Sequence, residues 1–228
     1  SIVSCDNLPS NGKVLRRLLI EFAKLRDAEL ADWIEDRVTC PSSMVDRIVP
    51  ATTETDRQNV QKQLGLEDQG VVVTEGFSQW VLEDNFCAGR PAWEEVGVTM
   101  VDDVTPFEHM KLRMLNGTHS TLAYLGFIAG HEFVADAAND SDFQQLLLGM
   151  WQDEIIPTLS MPVGIDMQAY AHDLMARYQN PELHHRLYQI AMDGSQKLPQ
   201  RLLGTLRDNL AANRLPKRVL LAIAGWMR

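Results

Sequence analysis

The sequence predicts a protein of the α+β class that is mainly α, with a mixed α/β front segment followed by an all-α half. Runs rich in β-branched residues and bounded by proline or glycine occur only before residue 104. From Thr105 onward, apolar residues recur with helical spacing and strand-like runs are absent. We therefore expect a domain boundary near residue 104, which separates residues 1–104 from residues 105–228.

Helices and strands are both expected in the front segment. Apolar residues at a spacing close to 3.6 predict one long helix, or two, within Asn11–Arg37. A second helix is expected over Thr53–Gly65, with Thr53 as its N-cap. Strand-like runs lie at 44–48, Val71–Thr74, Gln79–Glu83 and Val96–Val101.

The second half contains six helical patterns with recognisable end signals. Thr105, Asp166 and Asn180 are expected N-caps, and Gly130 is an expected C-cap. The six expected helices run from Thr105 to Gly130 and over Asp142–Leu159, Asp166–Tyr178, Pro181–Ala191, Pro199–Ala212 and Pro216–Met227.

Composition excludes several classes of function. The 228 residues carry 21 Lys and Arg against 31 Asp and Glu, and no basic cluster interrupts this negative balance. Binding to nucleic acid or to anionic lipid is therefore disfavoured. The longest apolar stretches are shorter than the ~18 residues that a membrane-spanning helix needs. Cys5, Cys40 and Cys87 form no C-x-x-C pair, which favours a reducing cytoplasm over a disulfide framework or a zinc cluster.

A glycine loop for phosphate binding is missing from the sequence. No glycine is followed two residues later by another, so the G-x-G-x-x-G pattern is absent, and so is G-K-[ST]. The chain opens at Ser1 and stops at the end of an apolar run, Gly225-Trp226-Met227-Arg228. We therefore expect it to be a piece of a longer protein.

Three polar residues share one arc of the first helix of the second half. At ~100° per residue, Lys111, Asn116 and His119 fall at about 0°, 140° and 80°. Lys111 and His119 would lie about 12 Å apart along the axis, which suits an extended ligand such as a linear sugar acid or polyol. The alternatives are that Lys111 is simply solvated, that His119 is an interior histidine and that Gly117 is only a weak point of the helix. Glycine in a helix interior costs about 1 kcal/mol relative to alanine, which suggests that Gly117 allows close packing or contact with a ligand.

The spacing Lys-x-x-x-x-Asn-x-x-His, at Lys111, Asn116 and His119, resembles the catalytic signature of the mannitol dehydrogenase family of polyol-specific long-chain dehydrogenases. Further matches follow the order of the family along nearly the whole chain. They are Ser4-Cys5-Asp6-Asn7-Leu8 with Asn11-Gly12, Ser43-Met44-Val45-Asp46-Arg47-Ile48-Val49-Pro50, Thr74-Glu75-Gly76-Phe77 and Asp193-Gly194-Ser195-Gln196-Lys197.

The resemblance implies a two-domain enzyme that uses NAD, with NADP as the alternative, and no metal. Residues 1–104 would be the C-terminal part of a nucleotide-binding α/β domain, whose glycine loop lies upstream. Residues 105–228 would be a truncated helical substrate domain similar to the C-terminal domain of 6-phosphogluconate dehydrogenase. The active site would lie in the cleft between the two domains.

The resemblance also implies a role for each polar residue. Lys111 would be the general base, Asn7 and Asn116 would hold the developing alkoxide, and Asp46 and His119 would support the lysine and the substrate hydroxyls. Neutral amides suit this task because they stabilise an oxyanion without adding a competing titration. A lysine acts as a base near neutral pH only when its pKa lies well below about 10.4, which desolvation achieves.

Two of these residues have simpler explanations. A carboxylate beside the lysine would raise its pKa, so Asp46 is expected to act through another group or as a proton route. Alternatively, Asp46 forms an ion pair with Arg47 or another basic side chain. Asp6, Asn7 and Asn11-Gly12 could serve as turn and cap residues.

Within the family, the stretch around Gln189–Arg201 is most similar to the fructuronate reductases, also called D-mannonate oxidoreductases. Arg177, Arg186, Lys197 and Arg201 are candidates to bind the carboxylate of such a substrate, and the sequence does not choose among them. Mannitol 2-dehydrogenase is the alternative activity, and a non-catalytic helical interaction module is the alternative of another class. We expect a monomer or a weak dimer.

Overall fold

The computed structural model describes residues 1–162 and 164–228 and contains two compact units. The first unit comprises Ser1–Arg47 and Phe77–Glu108, and the second comprises Ile48–Gly76 and His109–Arg228. Residues 48–76 thus belong with the helical unit, although composition groups them with the front segment. The division into domains at residue 104 stays a prediction.

The first unit begins with two helices, α1 (Asn11–Lys24) and α2 (Ala28–Arg37). The break between them has a local cause, because the carboxylate of Asp27 accepts hydrogen bonds from the N–H groups of Glu29 and Leu30 at 2.9 and 3.4 Å. These contacts cap the start of α2. Of the two expectations for this stretch, two helices is therefore the correct one.

A three-stranded sheet completes the first unit. Its strands are β1 (Ser43–Asp46), β2 (Gln79–Glu83) and β3 (Thr99–Val101), in that order, with β1 antiparallel and β3 parallel to β2. The central strand buries Val81 and Leu82 completely. The strand expected over Val96–Val101 starts only at Thr99, because a 3₁₀ turn precedes it at Trp93–Val96.

Residues 48–76 contain the helix α3 (Glu54–Leu64), whose N-terminus confirms the sequence prediction. Thr53 accepts a hydrogen bond from the N–H of Asp56, and the carboxylate of Asp56 accepts from the N–H of Thr53, which is a capping box. The strand predicted at Val71–Thr74 is wrong: these residues pair with no strand in the described parts of the chain. β-Branched residues favour a strand only where a neighbouring strand is present to pair with, and the described residues provide none beside this segment.

The second half is helical, as predicted, but three of its segments are π-helical. Such segments are rare and often lie at functional sites. The elements are α4 (Thr105–Met110), a π-helix at Lys111–Gly117, α5 (Thr118–Ala129), α6 (Val134–Asn139), α7 (Ser141–Gly149), a π-helix at Met150–Ile155, a 3₁₀ turn at Ile156–Thr158, α8 (Met167–Tyr178), a 3₁₀ turn at Pro181–Leu183, α9 (Leu187–Ala191), α10 (Gly194–Leu198), a π-helix at Pro199–Leu203, α11 (Gly204–Ala211) and α12 (Lys217–Met227).

Several helix ends agree with the sequence. Asp166 accepts from the N–H of Gln168 at 2.8 Å, Asn180 accepts from the N–H of Glu182 at 3.1 Å, and Gly130 ends α5 with a φ of 92°. Thr105, expected as an N-cap, is instead the first helical residue, and the carboxylate of Asp103 accepts its N–H at 2.9 Å.

Two of the expected helices have different bounds. Pro181–Ala191 is not one helix, because His184 adopts a left-handed conformation with a φ of 42° and separates the 3₁₀ turn from α9. The helix expected from Pro199 begins earlier, at Gly194, so Pro199 opens a π-helical turn instead of a new helix. The helix α6 has no counterpart among the predicted elements.

The core of the second unit consists of large side chains from the consecutive helices. The fully buried ones include Met110, Met114, Leu122, Leu147, Trp151, Leu174, Tyr178, Leu187 and Leu202. No helix in the described parts of the chain is both long enough and apolar enough to cross a membrane. The prediction of a mainly helical α+β protein is confirmed, and its sheet has three strands among the described residues.

Candidate functional site

Two of the expected site residues, Asn7 and Asp46, lie in the first unit. Asn7 is exposed in the loop that precedes α1. Asp46 is the last residue of β1, and only 3% of its surface is exposed. The other three, Lys111, Asn116 and His119, lie in the second unit.

The side chain of Asn11 connects the two elements that carry Asn7 and Asp46. Its amide nitrogen donates to the backbone oxygens of Ser4 at 3.0 Å and Ser43 at 2.9 Å, and its oxygen accepts from the N–H of Ser43 at 2.9 Å. Asn11 is 2% exposed, so these bonds form away from water. The loop before α1 is thereby fixed to the start of the strand that ends at Asp46.

The Asn11-Gly12 pair does not cap α1: Asn11 stabilises the turn before this helix, where its amide also donates to the carbonyl oxygen of Asp6 at 3.1 Å, and Gly12 permits close packing. The N-cap position of α1 belongs to Ser10, which has a φ of 50°. A Cβ atom on Gly12 would lie 2.3 Å from the carbonyl oxygen of Cys40 and 2.6 Å from the nitrogen of Ser42. Only glycine lets α1 approach this backbone so closely.

The segment that carries Lys111 and Asn116 is a π-helix, Lys111–Gly117, so the regular helical geometry predicted for it is wrong. In a π-helix the hydrogen bonds join residues five apart, and Asn116 follows Lys111 by five positions. The two residues therefore lie one turn apart on the same side of the helix instead of about 140° apart. Lys111 is 7% exposed and Asn116 is half-buried. The alternative that Lys111 is a solvated surface lysine is therefore wrong.

Distant side chains stabilise the backbone of this π-helix. The indole nitrogen of Trp151 donates to the carbonyl oxygen of Met114 at 2.9 Å, and the hydroxyl of Tyr178 donates to that of Leu115 at 2.6 Å. The hydroxyl of Thr118 lies 2.9 Å from the Tyr178 hydroxyl. Buried carbonyl groups need such partners, so these bonds stabilise the unusual helical turn.

Gly117 lies where two π-helical segments meet. A Cβ atom at this position would lie 2.7 Å from the carbonyl oxygen of Arg201, in the π-helix Pro199–Leu203. Of the two explanations that the sequence offered for this glycine, close packing is the one that the structure provides.

His119 is enclosed by aromatic rings. It is 6% exposed, it stacks on Tyr178 with ring centres 5.2 Å apart, and the edge of His185 approaches it at 5.0 Å. Neither Nε2 of His119 nor Nδ1 of His185 has a hydrogen-bond partner among the described residues. Two buried ring nitrogens are therefore left without a partner among the described residues, which is costly unless another polar group reaches them.

Both histidines are held in the neutral form. Burial lowers the pKa of His119 well below its usual 6.5, and four nearby basic side chains act in the same direction: His185, Arg201, Arg177 and Lys197. Burial, followed by the charge of Lys197, lowers the pKa of His185 to about 4. We call His119, His185, Lys197 and Arg201 the basic cluster.

Arg177 differs from the basic cluster because it has a carboxylate partner. Its Nε and Nη2 donate to the two oxygens of Glu75 at 2.9 and 2.7 Å, and both side chains are less than a tenth exposed. Glu75 also accepts from the N–H of Ile48 at 2.6 Å. This bidentate pair connects residues 48–76 to α8 inside the second unit.

Sequence reasoning missed His185 and the function of Glu75. Nothing local marks His185, because its role depends on contact with a ring 66 positions away. Glu75 was found only as part of a family match, and its partner Arg177 was left among four candidate cations. Among residues 1–162 and 164–228, no three His, Cys, Asp or Glu side chains form a group that could hold a metal ion; a metal-free reaction stays a prediction.

Comparison with known proteins covers both units. The family model of the mannitol dehydrogenase Rossmann domain matches residues 1–95, and that of the mannitol dehydrogenase C-terminal domain matches residues 103–228. Two proteins of Escherichia coli strain K12 align with the whole chain and with 47% of their own length. The uncharacterized oxidoreductase YdfI is 51% identical, and D-mannonate oxidoreductase is 50% identical.

A solved structure gives the same result. Mannitol 2-dehydrogenase of Pseudomonas fluorescens, in a ternary complex with NAD and D-mannitol, is 43% identical, with a TM-score of 0.88 over 98% of this chain and 46% of that one. The chain thus spans about half the length of the relatives that it matches. With both family models matched in order and with this fold, the chain belongs to the mannitol dehydrogenase family.

Proposed function

We propose that this chain carries the proton-transfer and substrate-binding residues of an NAD-dependent oxidoreductase that interconverts D-mannonate and D-fructuronate, with Lys111 as the general base. The main observation is the arrangement of Lys111 and Asn116, buried and half-buried, one π-helical turn apart. The 50% identity to the D-mannonate oxidoreductase of Escherichia coli supports the choice of substrate. NADP is the alternative cofactor, which is tested by replacing NADH with NADPH in the substrate panel described below.

In the direction of oxidation, the amine of Lys111 takes the proton of the reacting hydroxyl, and in reduction it returns the proton to the carbonyl oxygen. A lysine can do this only when it is uncharged, so the proposal requires a pKa of Lys111 in the full-length protein well below about 10.4. The amide of Asn116, one turn along the same side, would donate a hydrogen bond to the developing alkoxide. Asn7 would supply a second donor, and Asp46 a proton route.

His119 would bind substrate hydroxyl groups. Because its ring is neutral, one nitrogen donates and the other accepts, so it can serve either end of a hydroxyl group. Its Nε2 has no partner among the described residues, which suits a polyhydroxylated substrate. His185, whose Nδ1 also has no hydrogen-bond partner among the described residues, would provide a second nitrogen for substrate hydroxyl groups.

Several residues of this chain fit the substrate side of such a site, whereas the glycine loop of a dinucleotide site is not in this sequence. Residues 1–95 match the Rossmann-domain model of the family, and two of the glycines, Gly12 and Gly117, pack against protein backbone. NAD⁺ would accept the hydride from the carbinol carbon. We draw the choice of this cofactor from the solved relative, whose complex contains NAD.

The test is a substrate panel with the full-length protein. NADH-dependent reduction of fructuronate, tagaturonate and fructose is measured for the wild type and for Lys111→Ala, with Lys62→Ala on an exposed face of α3 as the matched control. Fructuronate is expected to give the highest kcat/KM. Lys111→Ala is expected to lower kcat by about 10²- to 10⁴-fold while NADH still binds.

Wild-type rates in Lys111→Ala would refute the assignment of the base. Preference for fructose would favour the mannitol 2-dehydrogenase alternative, and the absence of reduction with both NADH and NADPH would favour a non-catalytic module. Chelators are expected to leave the rate unchanged, whereas a loss that added zinc restores would contradict a metal-free reaction.

A further inference from the structure

The four basic residues that the sequence could not rank have different surroundings. Arg177 is saturated by the bidentate pair with Glu75. Arg186 is exposed, pairs with Glu132 and lies over the ring of Phe133. Neither is free to bind a substrate carboxylate at the buried histidines, so Lys197 and Arg201 remain.

Arg201 is a half-buried guanidinium without a carboxylate partner. Its Nη1 donates to the hydroxyl of Ser120 at 3.0 Å, and no Asp or Glu of residues 1–162 and 164–228 forms an ion pair with it. Burial lowers the pKa of Arg201, and the groups that oppose this are two phenols, Tyr124 and Tyr178. A desolvated cation with only neutral partners is costly in the unliganded protein.

The residues near Arg201 add positive charge. Lys197 precedes it by one helical turn, and its Nζ donates to the carbonyl oxygen of Ile190 at 3.2 Å. Burial lowers the pKa of Lys197, and then the charge of Arg201 lowers it further, while the exposed Asp193 acts in the opposite direction. The basic cluster therefore has a positive potential that its own side chains do not neutralise.

The position of Arg201 relative to the candidate site is fixed by packing. Its carbonyl oxygen touches Gly117, the residue after Asn116, and its guanidinium binds Ser120, the residue after His119. The charge of Arg201 acts directly on His119. A ligand that bonds to the orphaned nitrogen of His119 would thus have a second anchor at Arg201.

We propose that Arg201 binds the carboxylate of the substrate and thereby determines specificity for a sugar acid over a neutral polyol. This inference rests on the proposed function. One N–H of the guanidinium is used by Ser120, and the remaining donors can form a bidentate pair with a carboxylate. Ser120 positions the guanidinium, and Lys197 adds charge from one turn away.

The test compares an acid with a neutral substrate in the full-length protein. KM and kcat for fructuronate and for fructose are measured for the wild type, Arg201→Gln and Arg201→Lys, with Arg186→Gln as the exposed matched control. Arg201→Gln is expected to raise KM for fructuronate about 10- to 150-fold, because the charge of the pair with the carboxylate is lost while the amide can still donate a hydrogen bond, with a few-fold effect at most on fructose. Arg201→Lys is expected to restore part of the loss, and Arg186→Gln to change neither substrate.

A binding measurement separates this inference from the proposed function. D-mannonate is titrated calorimetrically into the wild type and Arg201→Gln, which needs no turnover. Weaker binding to Arg201→Gln supports the inference even if the wild type fails to oxidise D-mannonate, an outcome that would refute only the proposed reaction. Equal losses for fructuronate and fructose, or equal binding of D-mannonate to both proteins, would overturn the role of Arg201.

Discussion

Two basic regions of the second unit differ in whether a carboxylate of the chain neutralises them: Arg177 is buried, whereas the basic cluster combines buried His119 with half-buried His185, Lys197 and Arg201. Arg177 meets Glu75 in a bidentate pair at 2.7 and 2.9 Å, so the fold itself neutralises this charge. The basic cluster of His119, His185, Lys197 and Arg201 has no ion pair with a carboxylate among the described residues. A buried charge whose partner lies inside the chain serves the structure, whereas one without a partner suits a ligand.

The largest expected effect comes from breaking the paired region. Glu75→Gln leaves Arg177 buried beside a neutral amide, which is expected to lower the free energy of unfolding by about 3–5 kcal/mol. Glu132→Gln is the matched control, because the pair of Glu132 with Arg186 is exposed and such pairs contribute about 1 kcal/mol or less. The measurement is urea unfolding of the full-length protein, followed by tryptophan fluorescence. Equal losses in the two variants would show that burial does not distinguish these pairs.

The two histidines of the basic cluster are expected to make the free energy of unfolding depend on pH. Unfolded histidine has a pKa near 6.5 and His185 in the fold about 4, so between these values the unfolded chain binds a proton that the folded chain does not. The free energy of unfolding therefore falls as the pH falls below about 6.5. At pH 5 the protonation of unfolded His185 lowers the free energy of unfolding by about 2 kcal/mol relative to its value well above pH 6.5. His119 acts in the same direction.

His185→Gln is expected to remove its own share of this pH dependence, measured by urea unfolding at pH 7.5 and pH 5. His172→Gln, at an exposed position of α8, is the control and is expected to keep the wild-type slope. The same slope in His185→Gln as in the wild type would mean that His185 takes up a proton in the folded state.

Local signals explain which parts of the fold could be predicted from the sequence. The N-cap at Thr53 and the C-cap at Gly130 depend on residues within one turn of each other, and both predictions are confirmed. The strand at Val71–Thr74 was wrong because a strand needs a distant partner. The π-helix at Lys111–Gly117 was missed for the same reason, since its stabilising donors are on Trp151 and Tyr178.

The candidate site shows the same limit. The spacing of Lys111, Asn116 and His119 was readable because one continuous helical stretch carries all three residues. His185 could not be found, and the four basic candidates could not be ranked. Burial and ion pairing decide the ranking, and both are properties of the packed chain.

The smallest expected effect tests the contact that brings the basic cluster against the π-helix of Lys111. In Gly117→Ala the new Cβ would lie 2.7 Å from the carbonyl oxygen of Arg201, which is backbone and cannot turn aside. Overpacking of this kind costs about 1–3 kcal/mol, and the better helix propensity of alanine returns up to about 1 kcal/mol, so a net loss of about 1–2 kcal/mol is expected. Because the backbone of Arg201 must shift, the KM for fructuronate is expected to rise more than that for fructose.

Gly204→Ala is the matched control for this contact, because its Cβ would approach only the flexible guanidinium of Arg113, at 3.4 Å. It is expected to leave stability unchanged or to raise it by up to about 1 kcal/mol. Urea unfolding and the two KM values distinguish the variants. If Gly117→Ala behaved like Gly204→Ala, the two π-helical segments would be able to separate at little cost, and Arg201 would not depend on this contact for its position. A loss of stability with both KM values unchanged would mean that the substitution strains only the backbone. The hydrogen bond to Ser120 would then be sufficient to keep the guanidinium of Arg201 in position.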